Sequence, residues 1–252
     1  MYSANNHATQ PLGLAMMTNL LWKPGSKLRI GFKGGSIWQK DRVKKYALEW
    51  CKFANIAFTF VDSGELDILI AFDPTKESSS RLGVDCAWYS SQDQPSMNPN
   101  CINNNTSESL IRYAILHEFG HALGAIHEHQ SPCVQIPWDK EEVYRDLGNH
   151  PIGWDIATVD YNMFSIEQNR DIQATSFDPN SIMMYEIRDN WTKNGKGVSP
   201  NLKLSCLDKG HIRLCYPNEA HDASQPNVVA ARPKEKSQLA TASGLDQEEA
   251  TL

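Results

Sequence analysis

An α+β fold is what this sequence predicts, on three observations. Strand-like segments gather in the first third of the chain, helical segments with long irregular connections follow, and neither a repeat nor a linker divides the body. Leu28-Arg29-Ile30-Gly31-Phe32 alternates large apolar residues with others and reads as a strand. Asp41 to Phe53 shows helical spacing through Val43, Tyr46, Ala47 and Trp50. Ile56 to Val61 and Ile68 to Phe72 are rich in β-branched and aromatic residues and read as two more strands. Ser107 to Leu123 is a helix whose apolar contacts come from Leu110, Tyr113, Ala114 and Leu116.

Further on the pattern loosens. Asp139-Lys140-Glu141-Glu142 has capping-box form and opens a short helix through Leu147, and Trp154 to Phe164 reads as another. Ser205-Cys206-Leu207-Asp208 has the same form and starts a closing helix that ends before Pro217. Residues 218–252 are rich in Ala, Ser, Gln, Glu and Lys without an aromatic residue, and read as a disordered tail. Residues 1–19 read as a flexible N-terminal segment, which leaves 20–217 as the folded domain.

Composition narrows the function. With 252 residues, 40% of them hydrophobic, the chain can bury one substantial core or two lobes sharing a cleft. A net charge of −6 gives no electrostatic reason to expect nucleic-acid binding. No apolar run approaches the ~20 residues that span a bilayer, and the apolar patch at Leu12 to Met17 lacks the basic flank of a secretory signal. Six cysteines allow three disulfides or none. Cys206 and Cys215 flank the closing helix and would lie about 13 Å apart, too far to bridge. Cys86 and Cys101 bracket a polar loop and are the favoured pair.

The chemistry is concentrated in His117-Glu118-Phe119-Gly120-His121-Ala122-Leu123-Gly124-Ala125-Ile126-His127. A helix turns every ~3.6 residues, so His117 and His121 share one face and can chelate one Zn²⁺. Glu118, one position round, lies beside the metal, where it can act as general base on a zinc-bound water. Gly124 lets the chain turn left-handed and leave the helix, which returns His127 as third ligand and leaves a position open. Later, Asp178-Pro179-Asn180-Ser181-Ile182-Met183-Met184-Tyr185 reads as a tight turn held by Ser181.

These two motifs resemble the metzincin peptidases, and Ser181-x-Met183-x-Tyr185 is similar to the Met-turn of their astacin-like branch. The resemblance extends to Tyr46–Trp50, Ala54–Phe58, Leu66–Phe72, Gln94–Asn98 and His127–Pro132, over roughly residues 20–217, and is nearest to the fungal and bacterial members. It implies a metzincin-like zincin fold: a twisted mixed sheet and the active-site helix in an upper lobe, with an irregular lower lobe and a C-terminal helix. It also implies a zinc metalloendopeptidase with one Zn²⁺ per chain on His117, His121 and His127, Glu118 as general base, and Met183 as an apolar floor. Tyr185 would stabilise the oxyanion of the tetrahedral intermediate. Gln94–Asn98 would be either the sheet edge that binds substrate by strand addition or a plain loop. Protein or peptide substrates, a monomer and export follow from the same resemblance.

Departures bear on substrate preference. The arginine- and aspartate-rich extension of animal astacins is replaced by Ser131-Pro132-Cys133-Val134-Gln135, and their Gly-Ser-Trp-Ser segment by Ser78 to Gly83. A catalytically weak or inactive zinc-stabilised protein-binding domain is the alternative reading. His7, His129, His150, His211 and His221 are expected at the surface or behind the site.

Overall fold

Lys27 to Lys33 forms strand β2 because its apolar residues fall on alternate positions: Leu28 and Ile30 are buried while Lys27 and Arg29 face out. This is the computed structural model of the chain, and it describes residues 14–149, 153–166, 171–174, 176–218 and 250–251. Strands β3 (Ala57–Phe60) and β4 (Ile68–Ala71) pair in parallel on either side of β2, with Ile30 opposite both Phe60 and Ile68. β4 is buried through Ile68, Leu69 and Ile70, as the centre of a sheet covered on both faces should be. β5 (Ser79–Ser80) and β6 (Met97–Asn98) extend the sheet, β6 parallel to β4 and β5 antiparallel to β6. The order is β3-β2-β4-β6-β5-β8, where β8 (Ala250–Thr251) pairs antiparallel with β5. The mixed sheet with its helices is the expected α+β class.

Helix α1 (Ile37–Ala47) begins four residues before the expected start, because Ser36 and Gln39 form a reciprocal capping box. Its end is tied to α3 (Glu108–Ala122) by Trp50, whose indole donates to the Leu116 carbonyl at 2.9 Å. Arg112 on α3 also grips the Glu49 carboxylate with two nitrogens, at 2.7 and 2.8 Å. Leu110, expected to pack inward, is instead 47% exposed. Helix α2 (Asp85–Ser91) occupies what the sequence suggested was a polar loop. Beyond it come α4 (Lys140–Gly148), the single turn α5 (Ile156–Val159), which runs into a π-turn over Asp160–Phe164, and α6 (Cys206–Cys215).

Two cores result. The larger joins the sheet, α1 and α3 with Met183, Ile212 and Tyr216; the smaller gathers Val143, Val159, Met163, Met184, Tyr185, Ile187 and Trp191. Adjacent residues Met183 and Met184 therefore belong to different cores, and the turn that carries them joins the two.

Several expectations are corrected. Residues 14–17 lie within the segment expected to be flexible, yet Leu14, Ala15 and Met16 are buried. β1 (Met16–Met17) pairs with β7 (Ile172–Gln173), and the backbone beside it exchanges hydrogen bonds with Gly124 and Ile126. Residues 1–13 lie outside the described residues, as do 219–249 and 252 of the tail expected to be disordered over 218–252; within that tail Ala250–Thr251 instead forms β8 against β5. Gln94–Asn98 is not the sheet edge: β5 covers β6, and Pro95 precedes the strand, where no ladder donor is needed. All six thiols are free. Cys86, expected to pair with Cys101, is buried and donates instead to the Arg81 carbonyl at 3.1 Å. No helix among the described residues is long and apolar enough to cross a membrane.

Candidate metal centre

Ser107 caps α3 by accepting from the Leu110 N–H, and the helix then runs unbroken to Ala122. His117 and His121 project from one face of it. Gly124 follows at φ +93°, a left-handed turn that a Cβ would obstruct against Leu21. That turn brings His127 back, and the three rings converge, with the Nε2 atoms of His117 and His127 lying 3.1 and 3.2 Å from that of His121. All three side chains are buried, as the only such group of potential ligands among the described residues.

Which nitrogens carry protons follows from their other partners. His117 Nδ1 lies 2.9 Å from the Ile182 carbonyl and His121 Nδ1 2.8 Å from the Ala125 carbonyl. A carbonyl can only accept, so both Nδ1 atoms are protonated and both Nε2 atoms present lone pairs. His127 Nδ1 faces Gln130 Oε1 at 3.1 Å, and the Gln130 amide is oriented by its NH₂ donating to the Tyr161 carbonyl. His127 Nε2 is therefore bare as well. Three lone pairs pointing at one another repel unless a cation lies among them. Ligand nitrogens about 2.0–2.1 Å from one ion at tetrahedral angles are about 3.3 Å apart, close to the separations here. Burial pushes all three imidazoles below their ordinary pKa, His121 to about 4, and keeps them neutral as metal ligation requires.

Glu118 is fully buried and neither carboxylate oxygen has a hydrogen-bond partner. Burial drives its carboxyl well above the usual carboxylate range. The protein itself gives this acid no partner, and a divalent ion held by the three neutral imidazoles would favour its ionised form. The donor set thus fits a zinc-type ion.

The turn at Asp178–Met184 lies beneath this group. Met183 is buried against Gly120, where a Cβ would collide with the methionine sulfur, so the glycine inside His117-Glu118-Phe119-Gly120-His121 admits the turn. Ser181 donates to Asp208 Oδ1 at 2.7 Å and accepts from the Met183 N–H at 3.1 Å. Asp208 Oδ2 accepts from the Ile182 N–H at 2.9 Å while also closing the capping box of α6. Glu128 accepts from the Asp178 N–H and its own N–H donates to the Met183 carbonyl. Tyr185 is buried with its ring centroid 4.2 Å from that of His127, and its hydroxyl has no partner.

The structure therefore brings together all five residues singled out from the sequence: His117, Glu118, His121, His127 and Tyr185. Gln130 and Asp208 were missed. Gln130 is one helical turn from His127, a weak signal; Asp208 was legible as a helix cap but not as the anchor of a turn. His129 and His211, two of the histidines expected at the surface or behind the site, are fully buried. His129 donates from Nε2 to the Asn162 carbonyl and stacks on Tyr185, which places it behind the site; His211 has no partner on either nitrogen. His7, His150 and His221 lie outside the described residues.

No family model matches the chain, and no curated protein matches it. Solved structures do. Myroilysin aligns at 38% identity over 81% of this chain and 98% of its own, with a TM-score of 0.78. A second myroilysin crystal structure aligns at 39% identity over 79% and 86%, with a TM-score of 0.61. High choriolytic enzyme 1, a hatching enzyme zinc-protease from Oryzias latipes (Medaka fish), shares the fold at 18% identity, covering 79% of this chain and 95% of that one at a TM-score of 0.53. Sequence identity to myroilysin across nearly all of its length, joined to a buried histidine triad on the same fold, makes this chain a member of the astacin family of zinc metalloproteases.

Proposed function

We propose that residues 20–217, with the buried segment that begins at Leu14, form the catalytic domain of a zinc-dependent endopeptidase with one ion per chain, in which Glu118 is the general base and Tyr185 the oxyanion donor. The observation that carries this reading is the set of three bare Nε2 lone pairs converging beside an unpaired, buried carboxylate. His117, His121 and His127 would hold the ion, each ring fixed from behind by Ile182, Ala125 or Gln130. When bound, the ion supplies Lewis acidity.

The remaining work falls to the chain. Glu118, held ionised by the cation beside it when the site is loaded, takes a proton from the attacking water and returns it to the departing amine. Tyr185 donates its unpartnered hydroxyl to the developing oxyanion; burial raises its pKa further, so it stays a donor at neutral pH. His129 stacks on the Tyr185 ring at 4.8 Å and helps to hold its plane.

The test is Glu118→Gln, read by metal content and casein hydrolysis together. The expected protein keeps its metal and loses nearly all activity; substantial residual hydrolysis removes Glu118 from the role. Tyr185→Phe should lower kcat by about 10²-fold with little change in KM. A change confined to KM would make Tyr185 a substrate contact instead.

A further inference from the structure

A cavity of about 360 Å³ opens beside Tyr185, between the two cores. Its walls are aromatic and aliphatic: Leu110, Tyr113, Leu147, Trp154, Met163 and Trp191. Three charged side chains reach it, Glu77, Glu186 and Arg188. Their charges do not cancel. The Arg188 guanidinium is already engaged, 3.5 Å from the Asp146 carboxylate and 5.0 Å over the Trp191 ring. Neither Glu77 nor Glu186 has an ion-pair partner among the described residues. Glu77 spends one oxygen on the Trp154 indole at 3.1 Å, which steers its carboxylate across the gap between the cores and leaves the other oxygen free.

We propose that this cavity is the subsite for a long cationic side chain, arginine or lysine, in the residue flanking the scissile bond. The assignment rests on the peptidase reading above, since Tyr185 is what ties the cavity to the reacting centre. A flexible aliphatic stem suits the Leu110, Leu147 and Met163 surface, and a cation at its end suits both the aromatic faces and the carboxylates. A leucine would bury apolar area but gain nothing from Glu77, which is half-buried, or from Glu186, which is exposed at the cavity mouth, and a glutamate would meet two like charges.

The experiment uses one peptide series in which the residue on each side of a single cleavable bond is varied among arginine, lysine, leucine and glutamate. Cleavage by the full-length zinc-loaded protein should favour arginine and lysine at one flanking position, with kcat/KM about five- to tenfold above leucine. Glu77→Gln and Glu186→Gln should each narrow that ratio, without changing metal content or Tm. A preference for leucine or glutamate, or variants that scale every peptide equally, overturns the assignment. Titration of the same peptides into the Glu118→Gln protein reads binding without turnover. If the wild type cleaves nothing, the peptidase reading fails, yet this binding series still decides the cavity: arginine peptides binding no tighter than glutamate peptides would refute it.

Discussion

Ser181→Ala should unfold the support of the metal centre out of proportion to the one atom it removes. The hydroxyl serves two buried partners, donating to Asp208 and accepting from the Met183 N–H, and the residue is fully shielded from solvent. Burial pushes the Asp208 carboxyl up to about 6, so at about pH 8 it is mostly ionised. A hydrogen bond to such an acceptor contributes about 1.5–3 kcal/mol, and leaving the Met183 N–H unpaired costs about 1–3 kcal/mol. The two losses share an atom and do not simply add, so about 3 kcal/mol is expected. For a chain of this size that is a fall in Tm of about 6–12 °C. The same turn presents the Ile182 carbonyl to His117, so zinc affinity should fall about 10- to 100-fold. Urea unfolding of the metal-free protein and zinc competition with a chromophoric chelator measure the two effects. A stability loss under about 0.5 kcal/mol, or an unchanged zinc affinity, would refute the claim that this turn holds the first ligand in place.

Two further predictions follow from buried residues. Gly120→Ala gains about 1 kcal/mol of helix propensity but loses about 1–3 kcal/mol to overlap with the Met183 sulfur. It should therefore be neutral to destabilising in the wild type and stabilising in a Met183→Ala background. Equal effects in both backgrounds, by urea unfolding, would mean that the helix and the turn do not constrain each other. His211 is fully buried without a partner on either nitrogen, and burial pushes its pKa down to about 4. A lowered folded pKa gives stability that is present above about 6.5 and lost as pH falls towards 4. His211→Leu should remove about 2–3 kcal/mol of the acid destabilisation of the metal-free protein between about pH 7.5 and 4.5. Equal losses of stability in variant and wild type over that range would show that His211 does not titrate on unfolding.

How much of this was legible depends on how local the cause is. The metal-bearing helix was readable almost to the residue, because its cap, its apolar positions and its ligand spacing all lie within one segment. The same holds for α6 and its Ser205–Asp208 box. The start of α1 was missed because the Ser36 and Gln39 pair sits ahead of the apolar repeat that announces the helix. The sheet edge was misassigned for a different reason. Two-residue strands such as β5 and β6 have too few positions for an alternating pattern, so their neighbours are set by long-range packing. Within the site, every residue proposed to touch the reacting centre was visible in a motif. Those that hold the motif still, Gln130 and Asp208, were not, because a supporting hydrogen bond leaves no periodicity to read.

Asp208 also makes the metal centre depend on the closing helix. It reaches back 26 residues to steady the backbone that braces His117. A nascent chain that has released its three histidines but not yet the final helix has donors at Ser181 and Ile182 with nothing to receive them. The brace behind His117 is thus complete only when residues far apart along the chain have met, so the first ligand and the last helix form one unit.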